Sequence, residues 1–270
     1  GAKVGLAFEV LGGSNRKVFN RITGKDGLFM ASNKSTGSAS FTVDKDGYYS
    51  SWGGFRFDKS EHGKWQPWNP EEKVILRKIG NPVPMYARDT SFSNLYLPIT
   101  DKKIGFDLME YDWVKPYGNG TTPDLYFNVH NEFKSERKFT SVLILTFNNK
   151  FDGIHEVNNE FRHSLFKMPR FAPDQGFQPK IMLERNNADM GYDSGKFYVF
   201  RVRSVVKDGK LVQAMYGKIH GDIMHNPGLK KTALITMRYY LNPDYTTNLE
   251  FDPKRNLVVG ANSVELLTAP

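Results

Sequence analysis

Lys196-Phe197-Tyr198-Val199-Phe200-Arg201-Val202-Arg203-Ser204-Val205-Val206-Lys207-Asp208-Gly209-Lys210-Leu211-Val212-Gln213-Ala214-Met215-Tyr216-Gly217-Lys218-Ile219-His220 is the stretch on which the fold turns. β-Branched and aromatic residues flank Asp208-Gly209, the pair suited to a two-residue type I′ turn, whose central positions both take positive φ. With that turn in place, Val206 faces Leu211, Val202 faces Met215 and Tyr198 faces Ile219. Phe200 lies opposite Gly217 and can cover the missing side chain. One face of the hairpin is therefore apolar and is expected to cover a core. The other carries Val199, Arg201, Arg203 and Val205 across from Lys218, Tyr216, Ala214 and Val212, a mixed face suited to partial exposure.

The same pattern extends outward. Residues 124–133 and 138–148 form a second expected pair, joined by Lys134-Ser135-Glu136-Arg137, with the continuous apolar run Val142-Leu143-Ile144-Leu145 marking a central strand. Further strands are expected at 3–10, 39–44, 54–58, 73–79, 180–184 and 232–241. The one helical signal is Ile154, Val157, Phe161 and Leu165, weakened by Asn158-Asn159. Gly80-Asn81-Pro82-Val83-Pro84 is the best boundary. The expected fold is mainly β, with a small N-terminal β-sandwich over 1–80 followed by a larger antiparallel β domain over 81–270. Lys-Asp-Gly recurs at 25–27, 45–47 and 207–209 without equal spacing, so these are turns, not repeats.

Composition narrows the function classes. The 270 residues include 37 Lys+Arg against 29 Asp+Glu, a net charge of +8. Residues 1–80 carry 13 basic and 8 acidic side chains and residues 81–270 carry 24 and 21, so neither part holds a dense basic block. With no basic helix, zinc finger or RNP-type aromatic pattern, a nucleic-acid partner is not expected. Cysteine is absent, which excludes disulfides, iron–sulfur clusters, thiolate zinc sites and cysteine nucleophiles. No apolar run approaches the roughly 20 residues of a transmembrane helix. The chain begins Gly1-Ala2-Lys3, with neither Met nor a signal-type apolar core, as expected where an export signal has been removed.

Two resemblances follow from particular residues. Val18-Phe19-Asn20 leads into Thr23-Gly24-Lys25-Asp26-Gly27-Leu28-Phe29, and Ser40-Phe41-Thr42-Val43 leads into Lys45-Asp46-Gly47-Tyr48-Tyr49, ahead of a terminal strand near 73–76. Over about 1–80 this resembles the carboxypeptidase regulatory-like (transthyretin-like) domain. Trp52-Gly53-Gly54 and residues 61–68 depart from its compact form. The resemblance implies a β-sandwich accessory module of an exported protein, with scaffolding rather than peptidase activity. Residues 81–270, through Pro82-Val83-Pro84-Met85-Tyr86-Ala87-Arg88, Asp112-Trp113-Val114-Lys115-Pro116-Tyr117-Gly118 and Tyr240-Leu241-Asn242-Pro243, resemble an uncharacterised family of exported bacterial proteins. That resemblance carries no reaction with it.

The densest candidate cluster is Asp107, Glu110, Tyr111, Asp112 and Trp113, followed by Asp124. Two carboxylates beside an aromatic platform are what glycoside hydrolysis uses, so Asp107, Glu110 and Asp112 are the residues a hydrolase would employ. The routine duties of such residues are turn capping by the aspartates and packing by Trp113, and these are the favoured reading. The cluster lacks the ligand order and central glycine of an EF-hand loop. The six histidines contain no HExxH pattern, and His220 and His225 are five residues apart, on opposite faces of any continuous strand. No GxSxG or SxxK is present, and Gly12-Gly13-Ser14 lacks the end of a phosphate loop. No metal and no cofactor is expected.

Trp65, Trp68 and Trp113 are the candidate platforms for a sugar ring, with Asp112 and Asp124, beside Asp107, orienting its hydroxyls. The resulting expectation is a non-catalytic exported binding or envelope-scaffolding protein, with a glycan or another envelope component as partner. The alternatives are a glycan-directed hydrolase and a structural partner of another exported protein.

Overall fold

The computed structural model describes residues 1–10, 15–135, 138–187, 193, 195–229 and 232–270. Gly12-Gly13-Ser14 and Glu136-Arg137 lie outside them. The architecture is almost entirely β, with two 3-10 turns, Thr90–Phe92 and Ser263–Glu265, and no α-helix among the described residues. No helix among them is long and apolar enough to cross a membrane. The chain forms two compact units: Gly1–Gly80 with Glu160–Lys167, and Asn81–Asn159 with Met168–Pro270.

The first unit contains β1 (Lys3–Glu9), β2 (Arg16–Ile22), β3 (Ser38–Asp44), β4 (Ser51–Arg56), β5 (Lys59–Glu61) and β6 (Lys64–Gln66). The first four make an antiparallel sheet in the order β2-β1-β3-β4, and the last two a small hairpin. Period-two alternation turns Val4 and Val43 to one face, where Ala2 joins them beneath Phe29, Val74 and Leu76. The cover over this face thus comes from irregular chain. Residues 73–79, expected as a strand, form instead an extended cover with a single bridge, Tyr48–Lys78. Val74 and Leu76 are spent on packing against the sheet, not on extending its ladder. The segment is tied at Tyr49 N to Arg77 O (2.8 Å) and Ile79 N to Gly47 O (2.8 Å).

Glu160–Lys167 completes this unit along the outer edge of β4, where Trp52 N donates to His163 O (2.9 Å) and Leu165 N to Ser50 O (2.8 Å). The Arg77 guanidinium lies 4.1 Å from the ring centroids of both Phe161 and Phe166 and donates to Phe166 O at 2.6 Å. The helix expected across Ile154, Val157, Phe161 and Leu165 is therefore corrected. Ile154 and Val157 belong to a strand in one unit and Phe161 and Leu165 to irregular chain in the other, so their helical spacing is coincidental.

The second unit contains β7 (Val83–Asp89), β8 (Tyr96–Leu97), β9 (Ile104–Asp107), β10 (Asp112–Trp113), β11 (Leu125–Ser135), β12 (Lys138–Thr146), β13 (Gly153–Val157), β14 (Lys180–Asn186), β15 (Phe197–Lys207), β16 (Lys210–His220), β17 (Met224–Leu229), β18 (Thr232–Thr236), β19 (Arg238–Asn242) and β20 (Phe251–Asn256). They form a five-stranded sheet, β10-β9-β11-β12-β14, a six-stranded sheet, β13-β15-β16-β19-β7-β20, and a three-stranded sheet, β17-β18-β8. All pairs are antiparallel except β20 beside β7. Phe127 and Leu145 from the first sheet, Phe200 and Ile219 from the second, and Leu97 and Ile235 from the third enter one shared core.

The hairpin β15–β16 pairs Val206 with Leu211, Val202 with Met215, Phe200 with Gly217 and Tyr198 with Ile219, as its sequence predicts. A Cβ on Gly217 would stand 2.1 Å from Phe200 Cζ and 2.4 Å from Tyr240 O, so no side chain fits there. One expectation holds and another is corrected. The mixed face is partly exposed, with Val205 and Val212 open near the turn and Val199, Ala214, Tyr216 and Lys218 buried. On the same face β19, β7 and β20 contribute a second cluster of Met85, Ala87, Tyr240 and Phe251. Val199, Ala214 and Lys218 are enclosed there, with Lys218 Nζ 4.5 Å from the Tyr240 ring centroid. Residues 232–241, expected as one strand, divide between two sheets at Met237. Thr90 holds that crossing by accepting from Met237 N at its Oγ1 (2.9 Å) and donating its own amide to Met237 O (3.0 Å).

Candidate functional site

β9 and β10 pair at Asp107–Asp112 and Phe106–Trp113, so the chain must reverse over residues 108–111. Asp107 caps that reversal. Its Oδ1 accepts from the amides of Met109 (3.0 Å) and Glu110 (3.2 Å), and its Oδ2 from those of Thr121 (3.2 Å) and Thr122 (2.9 Å). Asp112 closes the next loop, accepting from Trp113 N at 2.8 Å and Asn119 N at 2.7 Å. A Cβ on Gly118 would lie 2.3 Å from Asp112 Oδ1, so that approach requires glycine.

Arg203 joins these caps into a cluster. The β15–β16 register shifts between Val202 and Val205, and Arg203 takes φ 52° within the shift. Such a bulge breaks the alternation and re-aims a side chain. Arg203 Nε donates to Asp124 Oδ1 (2.7 Å), while Nη2 donates to Asp124 Oδ2 (2.9 Å) and Asp107 Oδ1 (2.9 Å). Asp124 Oδ2 also accepts from Leu108 N at 2.9 Å. The arginine side chain is 19% exposed and the two carboxylates are fully enclosed.

Burial alone would raise the Asp107 carboxyl, but the amides of Thr122, Glu110 and Met109, together with Arg203, hold it below the usual carboxylate range. Burial works against the Arg203 charge too, and the two aspartates outweigh it, lifting its pKa further. At Asp124 burial prevails over the pull of Arg203 and moves the carboxyl upward.

This arrangement can hold chain segments together, but it leaves little for a substrate. A general acid or base must reach the reacting proton, and both oxygens of Asp107 and of Asp124 are occupied by protein donors. Glu110 is exposed and gives only its amide to the cluster, so its carboxylate forms no pair with Asp107. Asp112 serves its own loop.

The tryptophans separate into spent and available rings. Trp113, expected as a platform, is 7% exposed because its place opposite Phe106 on β10 turns it inward. Its ring meets Phe106 and Phe127 edge-on, at centroid distances of 5.0 and 5.8 Å. This expectation is corrected. Trp65 is half-buried, donating Nε1–H to Ser35 O at 2.8 Å and packing 6.1 Å from Phe57. Trp68 is 56% exposed, with Lys64 Nζ 4.7 Å from its ring centroid. Trp52, not among the expected ligand residues, is 45% exposed. Its signal lay in the alternation of β4, where Ser51 turns inward and Trp52 outward.

The histidines His220 and His225 do not converge on one site. His220 stacks 4.9 Å from Phe197, while His225 is buried and donates Nε2–H to Ser141 O at 3.2 Å, with no hydrogen bond to Nδ1 among the described residues. Burial depresses the His225 pKa to about 4, so its ring is neutral near pH 7. Nearby, Arg185 Nη2 bonds Asp222 Oδ2 at 2.5 Å and Tyr198 OH donates to Asp222 Oδ1 at 3.3 Å. Among the described residues, no group of three or more His, Asp or Glu side chains is placed to hold a metal ion.

The chain matches no protein-family model, no curated protein and no solved structure. Function must therefore be argued from these groups themselves.

Proposed function

We propose that this is a non-catalytic, exported binding or envelope-scaffolding protein whose ligand is a glycan or another envelope component. The observation that carries the proposal is how the polar and aromatic groups are employed. Of the carboxylates expected for hydrolysis, Asp107 is committed to Arg203 and backbone amides, Asp112 to its own loop, and Glu110 stands exposed with only its amide in the cluster; Asp124 is likewise bound to Arg203. Trp52 and Trp68 instead present exposed indoles in the first unit. An exposed indole offers a rigid, flat apolar surface with little ordering cost, which suits the C–H face of a sugar ring. The resemblance of residues 1–80 to carboxypeptidase regulatory-like modules supports an accessory role and export. In keeping with it, Gly27 and Gly47, the turn glycines on which it rests, both adopt φ 78°.

The test is a glycan array with the full chain, followed by Trp52→Ala and Trp68→Ala. Binding to a defined saccharide that at least one substitution abolishes, with no release of reducing ends, is the expected result. Cleavage of the bound saccharide that disappears in Asp107→Asn would replace this proposal with a hydrolase. Binding to no saccharide would end the glycan reading.

A further inference from the structure

We propose that the open face of the β2-β1-β3-β4 sheet is a groove for an acidic saccharide, with Arg16 and Arg56 as the groups that bind its carboxylates. This rests on the glycan reading above and assigns it a place and a ligand class.

The groove follows from strand register. Directly opposed residues in an antiparallel sheet share a face, and alternate residues along each strand repeat that face. The outward residues therefore fall into rows running across the strands. One row is Arg16, Glu9, Ser38 and Arg56, where Glu9 pairs with Arg16 and Ser38 with Arg56. The next is Val18, Ala7, Ser40 and Gly54, of which the last three, with side chains no larger than a hydroxymethyl group, make a floor beside Val18. The row beyond it brings up Asn20, Thr42 and the exposed Trp52. The arginine row and the floor together line an open depression of about 300 Å³. That is the lower end of the size range for small-ligand sites, roughly 300–1,000 Å³.

Charge selects the ligand class. Several arginines elsewhere are engaged: Arg88 with Glu265, Arg185 with Asp222, Arg203 with Asp107 and Asp124, Arg238 with Asp89. Arg21 is exposed and unengaged among the described residues too, but it pairs with Val4 on the other face of the sheet. Arg16 and Arg56 are exposed and have neither an ion pair nor a hydrogen bond among the described residues. A guanidinium fork matches a carboxylate in a bidentate geometry. Between the two arginines, Glu9 is fixed by Ser38 Oγ, which donates to its Oε2 at 2.5 Å, leaving Oε1 to accept from a sugar hydroxyl. Two guanidinium groups against one carboxylate leave this wall singly positive, which suits a sugar bearing both an acid and hydroxyls. Trp52 lies four residues from Arg56 along β4, about 13 Å away at the usual strand rise, within reach of a neighbouring sugar of the same chain.

The test is isothermal titration calorimetry of the full chain with oligogalacturonate, with its methyl ester and with a neutral glucan of matched length. The proteins compared are wild type, Arg16→Ala/Arg56→Ala, and Ser40→Tyr, which fills the floor. The expected result is binding of the acid form, weakened about tenfold or more by esterification, by the double substitution and by Ser40→Tyr, as loss of charge-assisted hydrogen bonds implies. Equal affinity for acid and ester, or affinity unmoved by both variants, would overturn the groove while leaving the glycan reading standing. Failure to bind any saccharide, here and on the array, would overturn both. Unchanged urea midpoints for the double variant are expected, since both side chains are exposed.

Discussion

Arg203 and Arg56 both stand on β-strands, and they do opposite things with the same guanidinium. Arg203 is re-aimed by a bulge, enclosed, and gives three hydrogen bonds to Asp124 and Asp107. Arg56 faces outward from a regular ladder, beside a floor of small side chains, without a partner among the described residues. A charge whose bonding capacity is consumed inside the fold is part of the fold, whereas one left over beside a cavity is free to recognise something else. The indoles divide in the same way, with Trp113 packed between Phe106 and Phe127 and Trp68 exposed.

The contrast is broken most visibly at Arg203. Arg203→Met leaves Asp107 and Asp124 enclosed without their cation, and a loss of about 3–5 kcal/mol is expected in urea unfolding. Arg203→Lys should rescue only part of this, because one ammonium cannot reproduce the fork. A loss below about 1 kcal/mol would mean that the cluster is not what holds the 107–124 loops.

Trp113→Ala should cost about 3–5 kcal/mol, as large-to-small changes at buried aromatics do, while Trp68→Ala should stay within about 1 kcal/mol. Equal losses from the two would erase the distinction between spent and available rings.

A third expectation concerns acid. The folded-state pKa of His225, about 4, lies below its unfolded value of 6.5, so as pH falls the unfolded chain takes up the proton first. The stability from the neutral ring is complete above about pH 6.5 and is lost progressively toward pH 4, amounting to about 3 kcal/mol. Urea midpoints measured across that window should show the slope, and His225→Gln should flatten it. An unaltered slope in the variant would assign the acid sensitivity elsewhere.

The smallest effect is expected at the spare groups. Arg16→Ala and Arg56→Ala should each change stability by no more than about 0.5 kcal/mol. A larger loss would show that these arginines hold the sheet itself.

The hairpin was legible because two signals agree within it. Asp208-Gly209 fixes the turn, and the alternation from Tyr198 to Val202 fixes the face, so the pairs with Met215, Gly217 and Ile219 follow from counting. Counting fails at Arg203, where one extra residue changes the parity and nothing in Arg203-Ser204 announces it. For that reason Asp107 and Asp124 could be singled out while the side chain that joins them could not. A local period also misleads when its residues separate in space, as with Ile154 and Phe161. Burial of Val199 and Lys218 depends on the flanking strands β13 and β19, whose pairing the hairpin's own residues do not announce. Trp52 was readable in principle from the alternation of β4, yet its Gly-Gly neighbours blur the strand.

The octapeptide Glu160–Lys167 has a consequence for synthesis. The first eighty residues leave the ribosome well before Phe166, which encloses Arg77 and packs on Tyr49. The nascent N-terminal portion must then wait, incomplete along one border, until twice its length has been translated. A fragment ending at Gly80 would be born with that border open, and supplying the missing octapeptide in trans would be the direct way to close it.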